Sequence, residues 1–363
     1  MYISRLKLIN FRSYEALDIE PSKGLNIIVG DNANGKTNVL ESIFLCTFAK
    51  SHRTSHDEHL IRRGTEGAYV GLTVNGAGGT VKIEIKHRIG EGKRMFANGT
   101  PLKRSGDLMG LMNCVMFAPE TLSVVKGTPQ DRRRFMDMAL SQLYPAYYHR
   151  LQQYNTALKQ RNAALKDEGC DTANIIMWDE QLAFLGADII NRRTELLSEL
   201  SHHAAKLHNG ISGGFEFLQL SYKPSCLTSY ADRDELMRAY DRTRADDIRR
   251  GYTSVGPHRD DIEVMLDETD VRYFGSQGQQ RTAALAMKLS EIPLVTEIKN
   301  DAPVLLLDDV FSELDDGRKS KLIKAMEGRQ CFLTCTSLDG LETLDMKDMA
   351  IFECSGGELI RIE

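Results

Sequence analysis

The sequence predicts an α/β protein in which a mainly helical insert separates two α/β halves. Residues 24–30 form an apolar strand pattern that runs through a glycine-rich turn into a helix-forming segment. Residues 130–168 and 176–208 are rich in Leu, Ala, Gln, Arg and Glu at helical spacing. Strand patterns then return after residue 256, and the apolar run PVLLLDD at 303–309 is typical of a strand buried in a parallel sheet.

The bulk composition is that of an ordinary folded protein. The chain has 363 residues, 42% hydrophobic and 27% charged, and this length predicts two or three domains. It has no run of 18 apolar residues and no apolar signal-peptide core, so we expect a cytoplasmic location. The seven Cys are scattered without a CxxC pair, which favours buried, reduced thiols over structural zinc. The net charge of −5 does not by itself advertise nucleic-acid binding, although short Lys/Arg clusters recur along the chain.

The first half, residues 1–130, carries an antiparallel β-layer beside the glycine-rich turn. Strand patterns cover 2–9, 69–75 and 80–88, and TVKIEIK puts apolar and charged residues on opposite faces. Glycines between the last two strands, and Asn98-Gly99 further on, predict hairpins.

Residues 131–250 are predicted to form the helical arm, and 251–363 the second α/β half. Within the arm, FEFLQLSYK is a strand pattern and DELMRAYDRTRADDIRR a further helix; no heptad repeat persists. In the last part, DIEVMLD, VRYFG and QCFLTCT are predicted strands, and a helix is expected after residue 278.

The strongest chemical signal is the segment NIIVGDNANGKTNVLESIF. Gly30, Gly35, Lys36 and Thr37 match G-x4-G-K-T, with a strand pattern before and a helix former after. Glycines let the backbone wrap a phosphate, Lys36 supplies a positive charge, and Thr37 offers a hydroxyl to Mg²⁺. The predicted nucleotide-binding loop comprises Gly30, Asp31, Asn32, Ala33, Asn34, Gly35, Lys36, Thr37 and Asn38.

The second signal is PVLLLDDVFSELD. Asp308 and Asp309 follow four apolar residues, at the carboxyl end of the predicted strand, where ligands of open α/β sheets bind. We expect Asp308, with Thr37, to serve a magnesium ion, and Asp309 to orient or deprotonate the attacking water. Lys36, Asp308 and Asp309 are the predicted catalytic set.

A third signal is FGSQGQQRT at 274–282, where a helix starts behind Ser276, Gly278 and Gln279. Helix starts bind anions, but this pattern is equally that of an ordinary N-capped helix. Since another helix start already serves the phosphates at Lys36, this one could help only by approaching the exposed γ-phosphate from the opposite side. The simplest source of that second surface is another copy of the chain.

These motifs, in this order, resemble the ATPase heads of the ABC and SMC superfamily. More narrowly, the chain is similar to the RecF family. The stretches that carry this similarity are INFRSY at 9–14, GDNANGKTNVLESI at 30–43, KSHRTSHDEHLI at 50–61, FAPETLSVVKGTPQDRRRF at 117–135, GPHRDD at 256–261, FGSQGQQRT at 274–282 and LLLDDVFSELD at 305–315. The resemblance implies a P-loop ATPase head with an inserted arm, in which Gly30–Thr37 is Walker A and Asp308 and Asp309 are Walker B. It further implies that Ser276–Gln280 is a signature motif acting across a head-to-head dimer, with Ser312–Asp315 as the D-loop.

The resemblance also implies a function in DNA replication and recombinational repair. ATP would drive a homodimer that binds duplex or gapped DNA and helps to load RecA together with RecO and RecR, and slow, DNA-stimulated hydrolysis would release the DNA. Candidate DNA contacts in this sequence are Lys7, Arg12, Arg63, Arg132 and Arg133.

Several features depart from the wider superfamily. GSQGQ stands where transporter ATPases commonly have LSGGQ, and Asp309 stands where they have Glu, which predicts slow turnover. The switch-loop His is absent, so Thr334 or Thr336 is expected to sense the γ-phosphate, and no Q-loop Gln is identified near 117–120.

Two other functions remain open at this stage: an ABC transporter ATPase subunit and an SMC-like structural tether. The long span between Walker A and the signature motif speaks against the first, and the missing heptads against the second. His52, His56 and His59 could share a helix face that binds a metal, but a loop near nucleotide or DNA is the better interpretation.

Overall fold

A computed structural model describes residues 1–119, 123–167, 171–214, 216–226, 231–339 and 348–363. The predicted break at 167–174 and the segment 117–120 fall partly outside these residues. The chain divides into two compact units, which we call the head unit (Met1–Thr121 and Lys288–Glu363) and the arm unit (Leu122–Met287).

The first sheet of the head unit is antiparallel and has six strands. Its strands are β1 Tyr2–Phe11, β2 Tyr14–Ile19, β4 Gly67–Gly76, β5 Gly79–Arg88, β6 Gly92–Ala97 and β7 Thr100–Leu102, in the order β2-β1-β4-β5-β6-β7. Side chains of β5 alternate between the two faces of the sheet as the sequence predicts, since Ile83 and Ile85 are buried while Lys82 and Lys86 are exposed.

The second sheet of the head unit is mostly parallel. Its strands are β3 Leu25–Val29, β8 Cys114–Phe117, β12 Val304–Asp308, β13 Cys331–Cys335, β14 Ala350–Ser355 and β15 Glu358–Arg361, in the order β15-β14-β3-β13-β12-β8. Only β15 pairs antiparallel. Every residue of β12 and β13 is buried, as expected for the inner strands of a sheet covered on both faces.

Helix α1, Lys36–Phe48, contacts strands of both sheets. Residues Val39–Phe48 are all buried, which explains why its sequence is apolar around most of its circumference and not along one stripe. The head unit also contains α9 Asp316–Met326 and 3-10 helices at Asp57–Leu60, Ser105–Leu108 and Val310–Glu313.

The arm unit is mainly helical. Its helices are α2 Ser123–Lys126, α3 Pro129–Leu143, α4 Pro145–Ala164, α5 Thr172–Ser212, α6 Arg233–Arg250, α7 Val271–Phe274 and the first part of α8 Gln277–Lys299. A small antiparallel sheet, in the order β11-β10-β9, has the strands β9 Leu218–Lys223, β10 Asp261–Leu266 and β11 Thr269–Asp270.

Buried ion pairs join the long helices of the arm unit. The guanidinium of Arg161 on α4 is fully buried and donates to Asp179 on α5 at 2.6 Å and to Asp247 on α6 at 2.8 Å. Removing one partner of such a cluster leaves an uncompensated buried charge, so the cluster fixes how these helices meet.

Two sequence predictions differ from the structure. The boundary predicted at 250/251 differs from the observed division, because β10 pairs with β9 of the arm and residues up to Met287 therefore pack with that unit. The strand predicted for VRYFG is wrong: Val271–Phe274 is a short helix, capped by the Asp270 side chain, which accepts from the Arg272 N–H.

The thiols behave largely as expected. Cys46, Cys114, Cys331, Cys335 and Cys354 are buried and Cys226 is half-buried, while Cys170 lies outside the described residues. None of the helices in the described part of the chain combines the length and the apolar character needed to cross a membrane.

Candidate nucleotide-binding site

The loop between β3 and α1 needs glycine at both of its ends. Gly30 has φ +156° and Gly35 φ +106°. A Cβ on Gly30 would lie 2.3 Å from the carbonyl oxygen of Cys354, and one on Gly35 would lie 2.5 Å from Oγ of Ser13. The residues between them, Asp31, Asn32 and Ala33, are exposed at the tip. The loop therefore lies close against β14 and the β1–β2 turn while its outer side stays open.

Lys36, the first residue of α1, lies under this loop. Its Nζ donates to the carbonyl oxygens of Gly30 at 2.5 Å and of Asp31 at 2.9 Å, and the residue is only 7% exposed. The residue before α1 is Gly35, which has no side chain that could cap the helix. A positive charge and the N-terminus of a helix thus converge at one point, which is the arrangement that binds phosphate.

Walker A and Walker B meet through a hydroxyl and a carboxylate. Oγ1 of Thr37 donates to Oδ1 of Asp308 at 2.9 Å, although the two residues are 271 positions apart in sequence. Hydroxyl and carboxylate oxygens are the hard ligands that Mg²⁺ prefers. The donor set therefore fits a magnesium ion bound together with a nucleotide.

Thr334 holds both Walker B carboxylate residues from the neighbouring strand. It lies opposite Asp308 in the parallel register of β12 and β13, and its Oγ1 donates to Oδ1 of Asp308 at 2.8 Å. The N–H of Asp309 donates to the same Oγ1 at 3.0 Å. The sequence predicted Thr334 or Thr336 as a phosphate sensor; of the two, Thr334 is 1% exposed and its hydroxyl already makes hydrogen bonds on two sides.

Asp309 has a left-handed backbone, with φ 50° and ψ 27°, at the start of the 3-10 helix Val310–Glu313. Its carbonyl accepts from Oγ of Ser312 at 2.7 Å. In the same segment, the Asp315 side chain caps α9 by accepting from the N–H of Arg318 at 3.0 Å. The predicted D-loop is therefore a well-bonded turn that directly follows the Walker B residues.

A buried ion pair under α1 was missed by sequence reasoning. Glu41 is fully buried and accepts a bidentate pair of hydrogen bonds from Arg12 at 2.8 and 2.6 Å, and another from Oγ of Ser51 at 2.5 Å. Burial alone would raise the pKa of Glu41, but the hydrogen bonds from Arg12 and Ser51 hold it below its ordinary value. Arg12, predicted as a DNA contact, thus has an internal partner that braces the first helix.

The polar residues of the loop continue into a surface chain. Nδ2 of Asn38 donates to Oγ of Ser13 at 3.0 Å, and Nη1 of Arg53 donates to Oδ1 of Asn38 at 3.1 Å. The Arg53 side chain is 45% exposed, and its Nη1 also lies 3.9 Å from the Glu41 carboxylate. Arg53 belongs to the stretch SHRTSH, which was interpreted from sequence as a loop near nucleotide or DNA.

The predicted signature residues lie in the arm unit, at the start of α8. Oγ of Ser276 accepts from the N–H of Gln279 at 3.2 Å, and Oε1 of Gln279 accepts from the N–H of Ser276 at 2.7 Å. This reciprocal pair is a capping box. Ser276 and Gly278 are exposed, and Nε2 of Gln279 donates to Oε1 of Glu216 at 2.6 Å.

The remaining DNA candidates differ in accessibility. Arg63 is exposed, and Lys7 is half-buried on β1, 3.8 Å from Asp18. Arg132 is 1% exposed and pairs with Asp261 at 2.5 Å, so in this structure its guanidinium does not reach a phosphate from outside. Arg133 is half-buried and donates to the carbonyl of Asp260 at 2.7 Å.

Comparisons with known proteins identify the family of this chain. The sequence model described as the RecF/RecN/SMC N terminal domain matches residues 2–351. The protein named DNA replication and repair protein RecF from Clostridium acetobutylicum is 40% identical over 360 residues, covering 99% of both chains. Its namesake from Lachnoclostridium phytofermentans is 41% identical over 342 residues, covering 93% of this chain and 94% of the relative.

Solved structures give the same answer. A structure described as the recombination mediator protein RecF with ATP in the RecFOR pathway has a TM-score of 0.92 at 35% identity, covering 100% of this chain and 98% of its own. An Smc head bound to the C-winged helix domain of ScpA has a TM-score of 0.59 at 16% identity and supports the fold alone. The chain belongs to the RecF family of DNA replication and repair proteins and has the fold of an ABC/SMC-type ATPase head.

Proposed function

We propose that this protein is an ATP-dependent DNA-binding switch of recombinational repair and replication, which dimerises on ATP and releases DNA after slow hydrolysis. The observation that carries the proposal is the hydrogen bond from Thr37 to Asp308, with Lys36 beside it under the loop. It joins the two halves of a nucleotide site in a chain whose relatives are DNA replication and repair proteins.

Each residue of the site has a separate task in binding and hydrolysing ATP. The Lys36 ammonium turns from the Gly30 and Asp31 carbonyls to the terminal phosphates, and the uncapped N–H groups of α1 bind the same anion. Mg²⁺ bound with the nucleotide would neutralise phosphate charge, with Thr37 and Asp308 as its protein-side oxygen groups. A carboxylate oxygen of Asp309 orients the attacking water and accepts its proton.

Dimerisation through the signature turn is supported by exposed aromatic rings beside it. Tyr273 is 64% and Phe274 77% exposed, directly before Ser276. The turn that carries them is well bonded: the N–H of Gly275 and Nε2 of Gln280 both donate to the Val271 carbonyl, at 3.1 and 3.0 Å. Large rings held out on a fixed turn are typical of a surface that becomes covered, and we propose that a second copy covers it.

DNA binding is supported by the outer face of the antiparallel sheet in the head unit. The cross-strand register places Lys86 beside Tyr69 and Arg94, and Lys7 beside Gly71 on the same face. Five basic side chains lie on this face: Arg5, Lys7, Lys82, Lys86 and Arg94, against the two acids Asp18 and Glu84. Such a surface holds phosphates without reading bases, so the proposed binding is strongly salt-dependent.

The proposed partners follow from the relatives. The solved RecF structures are described as parts of the RecFOR pathway. We therefore propose that this protein acts with RecO and RecR and, through them, in loading RecA at duplex or gapped DNA.

Sedimentation velocity with and without ATP tests the dimer. The parent should shift from monomer to dimer with ATP, whereas Lys36→Ala, Ser276→Arg and the double variant Tyr273→Ser with Phe274→Ser should stay monomeric. Phe184, 59% exposed on α5, gives the matched control Phe184→Ser, which should dimerise like the parent. A parent that stays monomeric with ATP and DNA would rule out the proposed switch.

Fluorescence anisotropy with a labelled duplex tests the DNA surface. Affinity with ATP should fall steeply between about 50 and 200 mM salt. The double variant Lys7→Glu with Lys86→Glu should bind more weakly and flatten the salt slope, while Lys324→Glu on α9 should leave both unchanged. Equal slopes for the parent and the double variant would remove this face from the proposal.

A further inference from the structure

We infer that Thr334 is a positioning residue for ATP hydrolysis: its hydroxyl sets the Walker B carboxylate of Asp308 and the backbone of Asp309 together. The inference rests on the proposed function and goes beyond it, because it assigns a role to a residue outside all of the phosphate-binding and carboxylate motifs. The expected role of Thr334, contact with the γ-phosphate itself, is replaced by one that acts through its two neighbours.

The strand order makes Thr334 central. β13 lies between β3, which leads into the nucleotide-binding loop, and β12, which ends at Asp308. Thr334 is opposite Ile28 of β3 on one side and opposite Asp308 on the other. One residue further, the Cys335 carbonyl accepts from the N–H of Gly30 at 3.3 Å. The carboxyl end of β13 therefore contacts both halves of the site.

The chemistry of the position requires a hydroxyl. A hydroxyl has one proton to donate and lone pairs to accept. Oγ1 of Thr334 donates to Oδ1 of Asp308 and accepts from the N–H of Asp309. A methyl group of the same size does neither, and because the position is 1% exposed, water does not replace the lost bonds easily.

The hydrogen bond that Thr334 accepts holds the backbone of Asp309 in an unusual conformation. Asp309 is held at φ 50°, a conformation that costs free energy for a residue other than glycine. Its N–H is fixed by Thr334, and its carbonyl by Ser312 on the other side. Losing the first bond frees the Asp309 carboxylate to leave the position from which it reaches the attacking water.

The donated bond completes a pair on one oxygen. Oδ1 of Asp308 accepts from both Thr37 and Thr334, at 2.9 and 2.8 Å. Two donors fix the direction of that carboxylate and leave Oδ2 of Asp308 turned away from them. Thr334 thereby orients the carboxylate that would serve a magnesium ion bound with the nucleotide.

Three variants and one control test the role. Thr334→Val removes the hydroxyl at constant volume, Thr334→Ala removes it without placing a methyl group against Asp308, and Thr334→Ser keeps it. Thr156 on α4, which is exposed and given no role in the site, gives the control Thr156→Val. For each protein we would measure kcat and KM for phosphate release, the affinity for a fluorescent ATP analogue with and without Mg²⁺, and the thermal unfolding temperature.

We expect Thr334→Val and Thr334→Ala to lose at least about tenfold in kcat and to lose most of the Mg²⁺-dependent gain in nucleotide affinity. Nucleotide binding without Mg²⁺ should stay within about twofold of the parent, which also reports a folded protein. Thr334→Ser and Thr156→Val should behave like the parent.

The outcomes separate this inference from the proposed function. If the parent neither binds nor hydrolyses ATP, the proposed function fails. If the parent is active and Thr334→Ala keeps its kcat and its Mg²⁺ response, the positioning role is wrong. Loss of activity in Thr334→Ser as well would overturn it too, since packing of the methyl group and not the hydroxyl would then be decisive. A loss in Thr156→Val as large as in Thr334→Val would also overturn it, since the effect would then not depend on the hydrogen bonds of Thr334.

Discussion

The molecule presents two helix starts that both follow a glycine-containing turn and differ in structure. At α1, glycine precedes Lys36 and offers no side chain to cap the helix, an arrangement that favours an anion at the helix start. At α8, Ser276 and Gln279 cap each other's N–H groups. The first start fits a phosphate without rearrangement, whereas the second would have to open its capping box to offer the same groups.

This difference predicts the order in which the two helix starts would bind phosphate: α1 first and α8 second. An anion that reaches α8 has to displace the Gln279 side chain from the Ser276 N–H, and the lost bond reduces the net gain. A phosphate contact at α8 is therefore better suited to closing a complex in which the nucleotide is already bound at α1 than to capturing free nucleotide. The following predictions test the contrast, beginning with the largest expected effect.

Gly30→Ala should lower the free energy of unfolding by about 3 kcal/mol or more, because the new Cβ would lie 2.3 Å from the Cys354 carbonyl oxygen, a rigid backbone atom. Chemical denaturation measures this. The matched control is Gly78→Ala, since a Cβ there meets nothing within 4 Å. A loss in the control as large as at Gly30 would mean that the close approach of the loop to β14 is not the cause.

Glu41→Gln should lower the free energy of unfolding by about 2–3 kcal/mol near neutral pH, because it leaves Arg12 without its buried partner. The pKa of Glu41 is lowered in the folded protein, so this stability is present above the pKa of the unfolded chain and is lost as pH falls through the folded-state pKa. Parent and variant should therefore converge in acid.

Denaturation curves at several pH values measure the effect, with the exposed Glu58→Gln as control. A difference between parent and Glu41→Gln that stays constant down to strongly acidic pH would contradict the role assigned to this ion pair.

Lys36→Ala should weaken ATP binding by about tenfold to a hundredfold, since it removes the charged donor at the open helix start. Isothermal titration with ATP measures it. Lys50→Ala, exposed just beyond the end of α1, should leave the affinity unchanged. Undiminished affinity in Lys36→Ala would show that the α1 start is not the phosphate site.

Gln279→Ala should cost about 1 kcal/mol of stability, because it removes one half of the capping box. It also frees the Ser276 N–H, so the ATP-dependent dimer should form at a lower protein concentration than in the parent. Thermal unfolding and sedimentation measure the two effects. A Gln279→Ala protein as stable as its parent would show that the two helix starts do not differ in the way described.

The sequence predicted motifs made of neighbouring residues but not contacts between residues that are far apart in the chain. Gly30–Thr37 and Asp308 could be identified because glycine spacing and an apolar strand before a carboxylate are patterns of neighbouring residues. The partners of Arg12 and Arg132 are 29 and 129 residues away in sequence, and no pattern marks them. For the same reason, three candidate DNA contacts, Arg12, Arg132 and Arg133, turned out to have internal partners.

Side-chain capping and strand register explain the other differences. VRYFG has the aromatic and β-branched residues of a strand, but the Asp270 cap and the hydrogen bonds from Gln280 favour a helical turn. The role of Thr334 depends on its register opposite Asp308, which only the assembled sheet reveals.

The left-handed backbone at Asp309 limits the rate of hydrolysis that such a protein could reach through evolution. Asp and Asn tolerate this conformation better than longer side chains. The shorter carboxylate is then tied to the shape of the chain at that point, and lengthening it to Glu would gain reach while straining the turn that aims it. A single substitution at position 309 would therefore speed up hydrolysis only together with a compensating change in the backbone of this turn.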